Sequence, residues 1–334
     1  MAQVASPDHP EGPDTPRLPS VSSSAILVNP TKVANLAGLR RIVRKTLAED
    51  GWPEPRWLET TAADTGERQA RNAIDSGDRV LFVCGGDGTV LAAVAALAGS
   101  GAALAVLPSG TGNVLALNLG LPSDVAGGVR LATRGGRRLI DLGEVDGRPF
   151  TVAAGIGLDA QMLAETPHRA KNRLGWVAYA ASVLRHLAEP RFPVAVRLDG
   201  GEPIVRQVRS VVVANVGRLP GGIKLLSDSR PDDGLLDVVL IAPHRLPDWL
   251  MLLASLFASS STASRLESFR VRRVEITADL PRPREIDGDT LPLGQTLNVR
   301  IRPKVLTVCV PLGRPGRGWS RGRAIPGNGV DQLT

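Results

Sequence analysis

Cysteine is nearly absent from this sequence: Cys84 and Cys309 stand far apart, and no His or Cys lies near either at metal-ligand spacing. That excludes a disulfide framework and the common zinc motifs, and reads as two buried thiols in a reducing compartment. Aromatic residues make up only 3% of the chain. With no stripe of aromatic and basic side chains on which bases would stack, nucleic acid is not expected as a partner. Long apolar runs are also missing. The longest, "WLMLLASLFA" at 249–258, falls far short of the roughly 20 residues a bilayer-spanning helix requires. Residues 1–24, rich in Pro, Ser and Asp, have neither a basic start nor an apolar core. They read as a disordered tail and not a signal peptide, so the expected location is cytoplasmic, with peripheral membrane association at most.

What is present is globular: 43% hydrophobic and 22% charged residues, in 334 positions that suffice for two domains. The net charge of +7 favours an anionic partner, although part of the excess lies in a basic tail at 313–334. Between residues 25 and 138 short apolar runs alternate with stretches of helical spacing. "AILVN" (25–29), "RVLFVC" (79–84) and "ALAVLP" (103–108) read as strands, and 35–50, 66–77 and 89–99 as helices. That alternation predicts a parallel sheet covered on both faces. From 139 to 312 strand-like runs follow one another, including 138–145, 148–157, 206–217, 268–277, 296–301 and 304–310. They predict an antiparallel sandwich, interrupted by helical patterns near 159–188 and 246–262. The expected architecture is an α/β domain followed by an all-β sandwich, with the active site in the cleft between them.

Two strand ends of the first domain run into small-residue loops: Gly85, Gly86, Asp87, Gly88 and Thr89, and then "PSGTGN" at 108–113. A third, "NPTK" at 29–32, follows the first strand. Carboxyl ends of parallel strands share one edge, where ligands bind, and glycines let main-chain N–H groups approach phosphate oxygens. There is no G-x-x-x-x-G-K-[ST] and no G-x-G-x-x-G with a distant acid, so phosphate must be held without the usual lysine. Asp87 is then either a partner of a cation and its waters or a helix cap.

Together with Asn29-Pro30, "GIGLD" at 155–159, "DDG" at 232–234 and Asp287-Gly288, these loops resemble the diacylglycerol kinase catalytic family, which includes soluble bacterial lipid kinases and the sphingosine and ceramide kinases. GGDGT alone is shared with NAD kinases. The resemblance implies ATP and Mg²⁺ as cofactors and transfer of a γ-phosphoryl group to a hydroxyl of diacylglycerol or a related lipid. By position it implies that Asn29, Pro30 and Thr31 border the nucleotide and that residues 85–89 wrap the phosphates. Gly110, Thr111, Gly112 and Asn113 then complete the pocket, with Thr60 or its neighbour Thr61 beside it. Asp287 is implied as general base. Asp289 supports it where the family usually has Glu, and Asp287-Gly288 is equally a hairpin-turn signal. Asp233, with the carbonyls of Arg230 and Leu235, matches the family's structural Mg²⁺ segment.

A lipid acceptor implies transient contact with a membrane surface, for which the basic segment 168–176 and the apolar helix 247–260 are the candidates. A homodimer stays open. Two other readings remain: an NAD kinase-type phosphotransferase, and a non-catalytic nucleotide- or lipid-binding regulator.

Overall fold

The computed structural model describes residues 23–108, 113–157, 190–218, 229–243 and 266–312. Ser24–Val28 (β1), Arg56–Glu59 (β2), Val80–Cys84 (β3) and Ala103–Val106 (β4) pair in parallel, in the order β4-β3-β1-β2. Every residue of β1, β3 and β4 is buried, as a parallel sheet covered on both faces requires. Alternate residues serve opposite faces. Ile26, Val28 and Phe82 pack under Leu36–Glu49 (α1) and Val125–Arg134 (α5). Ala25, Leu27, Leu81 and Val83 pack under Glu67–Asp75 (α2) and Asp87–Leu97 (α3).

Two helices were not expected from periodicity: α5 and the short Val114–Leu119 (α4). Both have side-chain caps, Asn113 accepting from the N–H of Ala116 at 2.8 Å and Asp124 from that of Gly127 at 2.7 Å. Such caps are the signal by which short helices are found in a sequence.

The antiparallel part comprises Gly136–Val145 (β5), Arg148–Phe150 (β6), Ala153–Ile156 (β7), Phe192–Leu198 (β8), Ile204–Val208 (β9) and Ser210–Ala214 (β10). Leu236–Ile241 (β11), Glu267–Val271 (β12), Arg273–Ile286 (β13) and Asp289–Val310 (β14) complete it. β13 bends between two layers, pairing with β8 through Val274 to Ala278 and with β7 through Arg284 to Ile286. Val145, Phe150, Val194, Val211, Val238 and Ile276 meet in the core between them.

The halves are less separate than the sequence implied. Residues 296–301 and 304–310 form one continuous strand, β14, whose far end pairs in parallel with β4 through Thr307 and Val308. Lys304, at φ +52°, makes an irregularity where pairing with β5 slips between Arg302 and Leu306, without ending the strand. The last strand therefore stitches the antiparallel half into the parallel sheet. Three Asp-Gly pairs, at Asp146, Asp199 and Asp287, close hairpins with both residues at positive φ, as the sequence signal required.

Candidate active site

A cavity of about 950 Å³ opens between the two halves. Its floor is the carboxyl edge of the parallel sheet, where β1 and β3 end. Asn29, Thr60, Thr61, Gly85, Gly86, Asp87, Gly88, Thr89 and Asn113 all line it. Pro30 and Thr31 do not; Thr31 donates its N–H and hydroxyl to the Asn29 Oδ1, at 3.0 and 2.8 Å, and so holds that side chain in the 3-10 turn Pro30–Lys32. Gly110, Thr111 and Gly112 lie outside the described residues, as do the segments 168–176 and 247–260.

The glycines of the 85–89 loop divide by purpose. A side chain on Gly85 would lie 2.6 Å from the Thr89 side chain, so that glycine serves the loop's own packing. Around Gly86 and Gly88 nothing lies within 4 Å of where a Cβ would stand, and neither has positive φ. Neither backbone nor neighbours require glycine there; the free space belongs to the cavity. α3 starts at this point with no side-chain cap on its N-terminus, which leaves first-turn N–H groups for an anion. Beside them the Nδ2 of Asn113 is buried without an acceptor. Open glycines, uncapped N–H groups and an orphaned amide donor fit the phosphates of a nucleotide.

Asp87 does not cap its own helix. Its Oδ1 accepts from the N–H of Val114 at 3.2 Å, so it serves the N-terminus of α4, 27 residues away.

The Asp287 carboxylate turns away from the cavity onto the main chain of residues 151–153. Oδ2 accepts from the N–H of Thr151 at 2.7 Å and from its hydroxyl at 2.9 Å; Oδ1 accepts from Val152 at 2.8 Å and Ala153 at 3.0 Å. Those four donors fill the acceptor positions of a carboxylate. Burial pushes the Asp287 carboxyl above the ordinary carboxylate range, against the pull of the donors. Its neighbours Ile286 and Asp289 line the cavity. A further link ties this clamp inward: the buried Asn215 donates its Nδ2 to the carbonyls of Asp141 and Thr151, at 3.0 and 3.1 Å.

The expected metal segment lies apart from the cavity lining. Asp233 accepts from the N–H of Leu235 at 3.1 Å and is ion-paired with Arg270 of β12, while Asp232 is held by Arg138 and Arg230. Buried Asp141 accepts from the N–H groups of Gly234 and Lys304, both at 2.7 Å, and fastens the same turn to β14. Burial raises its carboxyl above the usual range. Among the described residues no three His, Cys, Asp or Glu gather to hold a metal. The Asp233 carboxylate is engaged by the Arg270 guanidinium, which a cation on Asp233 would have to displace.

Lys32, the last residue of the 29–32 loop, also lines the cavity, as do Thr65, Glu67 and Arg148, which the sequence did not single out. Leu91, Ala92 and Ala95 of α3 face Pro149, Ile286 and Leu291 there, so part of the wall is apolar.

Residues 24–145 match the diacylglycerol kinase catalytic domain, and residues 151–310 the YegS C-terminal NAD kinase beta sandwich-like domain. A "Probable lipid kinase YegS-like" protein of Pseudomonas fluorescens is 33% identical over 275 residues, covering 81% of this chain and 90% of that protein. A Synechocystis protein, sll0036, is 26% identical over 255 residues, which span 73% of this chain and 58% of its own length. A crystal structure of a diacylglycerol kinase from Bacillus anthracis superposes with a TM-score of 0.68 at 21% identity, over 87% of this chain and 97% of that one. An NAD kinase from Archaeoglobus fulgidus in complex with ATP superposes at 0.51 and 12% identity, over 90% of this chain and 98% of its own. These likenesses in structure are likenesses of fold.

Proposed function

The chain belongs to the YegS-like lipid kinases, with a diacylglycerol kinase catalytic domain followed by their β-sandwich domain, and on that premise we propose that it transfers the γ-phosphoryl group of ATP to a hydroxyl of diacylglycerol or a related lipid. One observation carries the reading: a single cavity has open glycines and helix N–H groups at one part of its wall and Leu91, Ala95, Ile286 and Leu291 at another. The first suits a triphosphate and the second the apolar body of an acceptor.

The N–H groups at the start of α3 and the Asn113 amide hold phosphate oxygens, and Asn29, Thr60 and Thr61 border the nucleotide. The bond from the γ-phosphorus to the β-phosphate oxygen breaks as the lipid hydroxyl oxygen bonds to that phosphorus, and ADP leaves. The hydroxyl proton passes to the Asp287 carboxylate. The carboxylate faces residues 151–153 in this structure, so the transfer requires it to turn toward the cavity and exchange the Thr151 hydroxyl on Oδ2 for the acceptor hydroxyl. A carboxyl raised by burial is the better proton acceptor. Asp289, exposed at the cavity, orients the incoming hydroxyl. Mg²⁺, when bound, would supply charge neutralisation on the phosphates, and Asp87, which lines the cavity within the glycine loop, would hold it through water. The lipid is reached from a membrane surface.

Labelled ATP incubated with a total lipid extract labels one organic-extractable product, identified by mass spectrometry, and Asp287→Asn abolishes it. Labelling of NAD instead would select the NAD kinase reading. Nucleotide binding with no labelled acceptor of either kind would leave a regulator.

A further inference from the structure

Five charged side chains line the cavity: Lys32, Glu67, Asp87, Arg148 and Asp289. A triphosphate brings several negative charges into a space that already holds three carboxylates, and the chain has no phosphate-loop lysine. Glu67 is paired with Arg71, and Asp87 serves α4. Among the residues lining the cavity, only Lys32 and Arg148 bring positive charge.

Arg148 has the more telling position. It opens β6, in the antiparallel half, and β6 lies against α3, whose N-terminus is the phosphate end. The acids of its own hairpin are engaged elsewhere: Glu144 by Arg300 and Arg302, and Asp146 within 3.9 Å of Arg284. No carboxylate among the described residues is paired with the exposed Arg148 guanidinium. An arginine kept clear of its neighbouring acids and lining the same cavity as the glycine loop is placed for a ligand, and a guanidinium matches phosphate oxygens in two-pronged fashion. Three residues on, Thr151 begins the segment gripped by Asp287. That clamp fixes β6 to the turn carrying Asp289, so cation and acid enter the cavity in fixed register.

We propose that Arg148 binds the terminal phosphate of the nucleotide from across the cleft and neutralises its charge as the phosphoryl group moves. The assignment rests on the kinase reading above for its chemistry, and on the cavity alone for its binding part. The cation thus comes from the half of the molecule that does not carry the glycine loop.

The test is the ratio of ATP to ADP affinity, measured by calorimetric titration of the full chain and of Arg148→Ala and Arg148→Lys. The wild type prefers ATP by about tenfold or more, Arg148→Ala loses that preference, and Arg148→Lys keeps part of it. Thermal unfolding is unchanged, because the side chain is exposed and unpaired. Lipid labelling by Arg148→Ala falls at least about 100-fold, as for loss of a donor to transferring charge. An unchanged affinity ratio in Arg148→Ala, or a wild type that does not distinguish ATP from ADP, overturns the assignment. A wild type that prefers ATP through Arg148 yet labels no lipid overturns the lipid kinase reading and leaves Arg148 standing.

Discussion

Asp87, in the first turn of α3, accepts a hydrogen bond from the N–H of Val114, the first residue of α4. The acid of the GGDGT loop therefore ties the N-termini of two helices together, on the edge where both strands before them end. Asp87→Ala leaves that N–H short of an acceptor and lowers stability by about 1 kcal/mol, while Asp87→Asn retains an oxygen and costs much less. Urea unfolding of the two variants checks this. Equal stability of Asp87→Ala and the wild type would mean that the carboxylate serves only a ligand.

Asp50 joins α1 to α5. It accepts from the Arg134 Nε at 2.8 Å and from the Thr133 hydroxyl. The Arg134 hydrogen bond holds the Asp50 carboxyl below its usual 3.8. A depressed folded-state pKa contributes stability above the unfolded value and loses it as pH falls through the folded one. Asp50→Asn is therefore less stable than the wild type at neutral pH, and the two converge as the pH drops below 3.8. A constant gap from neutral to acid pH, in denaturant unfolding, contradicts the assignment.

Asp233 has an arginine where the family resemblance implied a cation. Arg270 on Asp233, Arg138 on Asp232 and Asp141 on Gly234 already hold the turn through protein groups. Chelation with EDTA leaves the unfolding temperature of the nucleotide-free protein unchanged, whereas Arg270→Ala lowers it. A drop on chelation, restored by Mg²⁺, would restore the metal to this turn.

Much of the framework was legible because its signals are local. Val80–Cys84 is a continuous apolar run ending at glycine, and the Asp-Gly pairs announce their hairpins within two residues. What escaped depends on contacts across the chain. Asp146-Gly147 and Asp287-Gly288 look alike in sequence and adopt the same turn, yet only the second sends its carboxylate to residues 151–153, some 136 positions away. Arg148 follows the first of these turns and reads in sequence only as the start of the strand-like run 148–157. Arg270 meets Asp233 across 37 residues, so the turn at 232–234 read as a ligand set with no competitor visible. β14 appeared as two strands because Lys304 interrupts the alternation and shifts the pairing with β5 without ending the strand.

The central claim is that the space beside Gly86 and Gly88 is occupied by nucleotide phosphates. Neither glycine is needed for backbone conformation or for packing, so Gly86→Ala/Gly88→Ala folds normally, and the alanine within α3 favours the helix by up to about 1 kcal/mol. The decisive measurement is calorimetric titration of ATP into this double variant, alongside its thermal unfolding. A protein as stable as the wild type that no longer binds ATP is the predicted result; one that binds ATP with wild-type affinity contradicts the account.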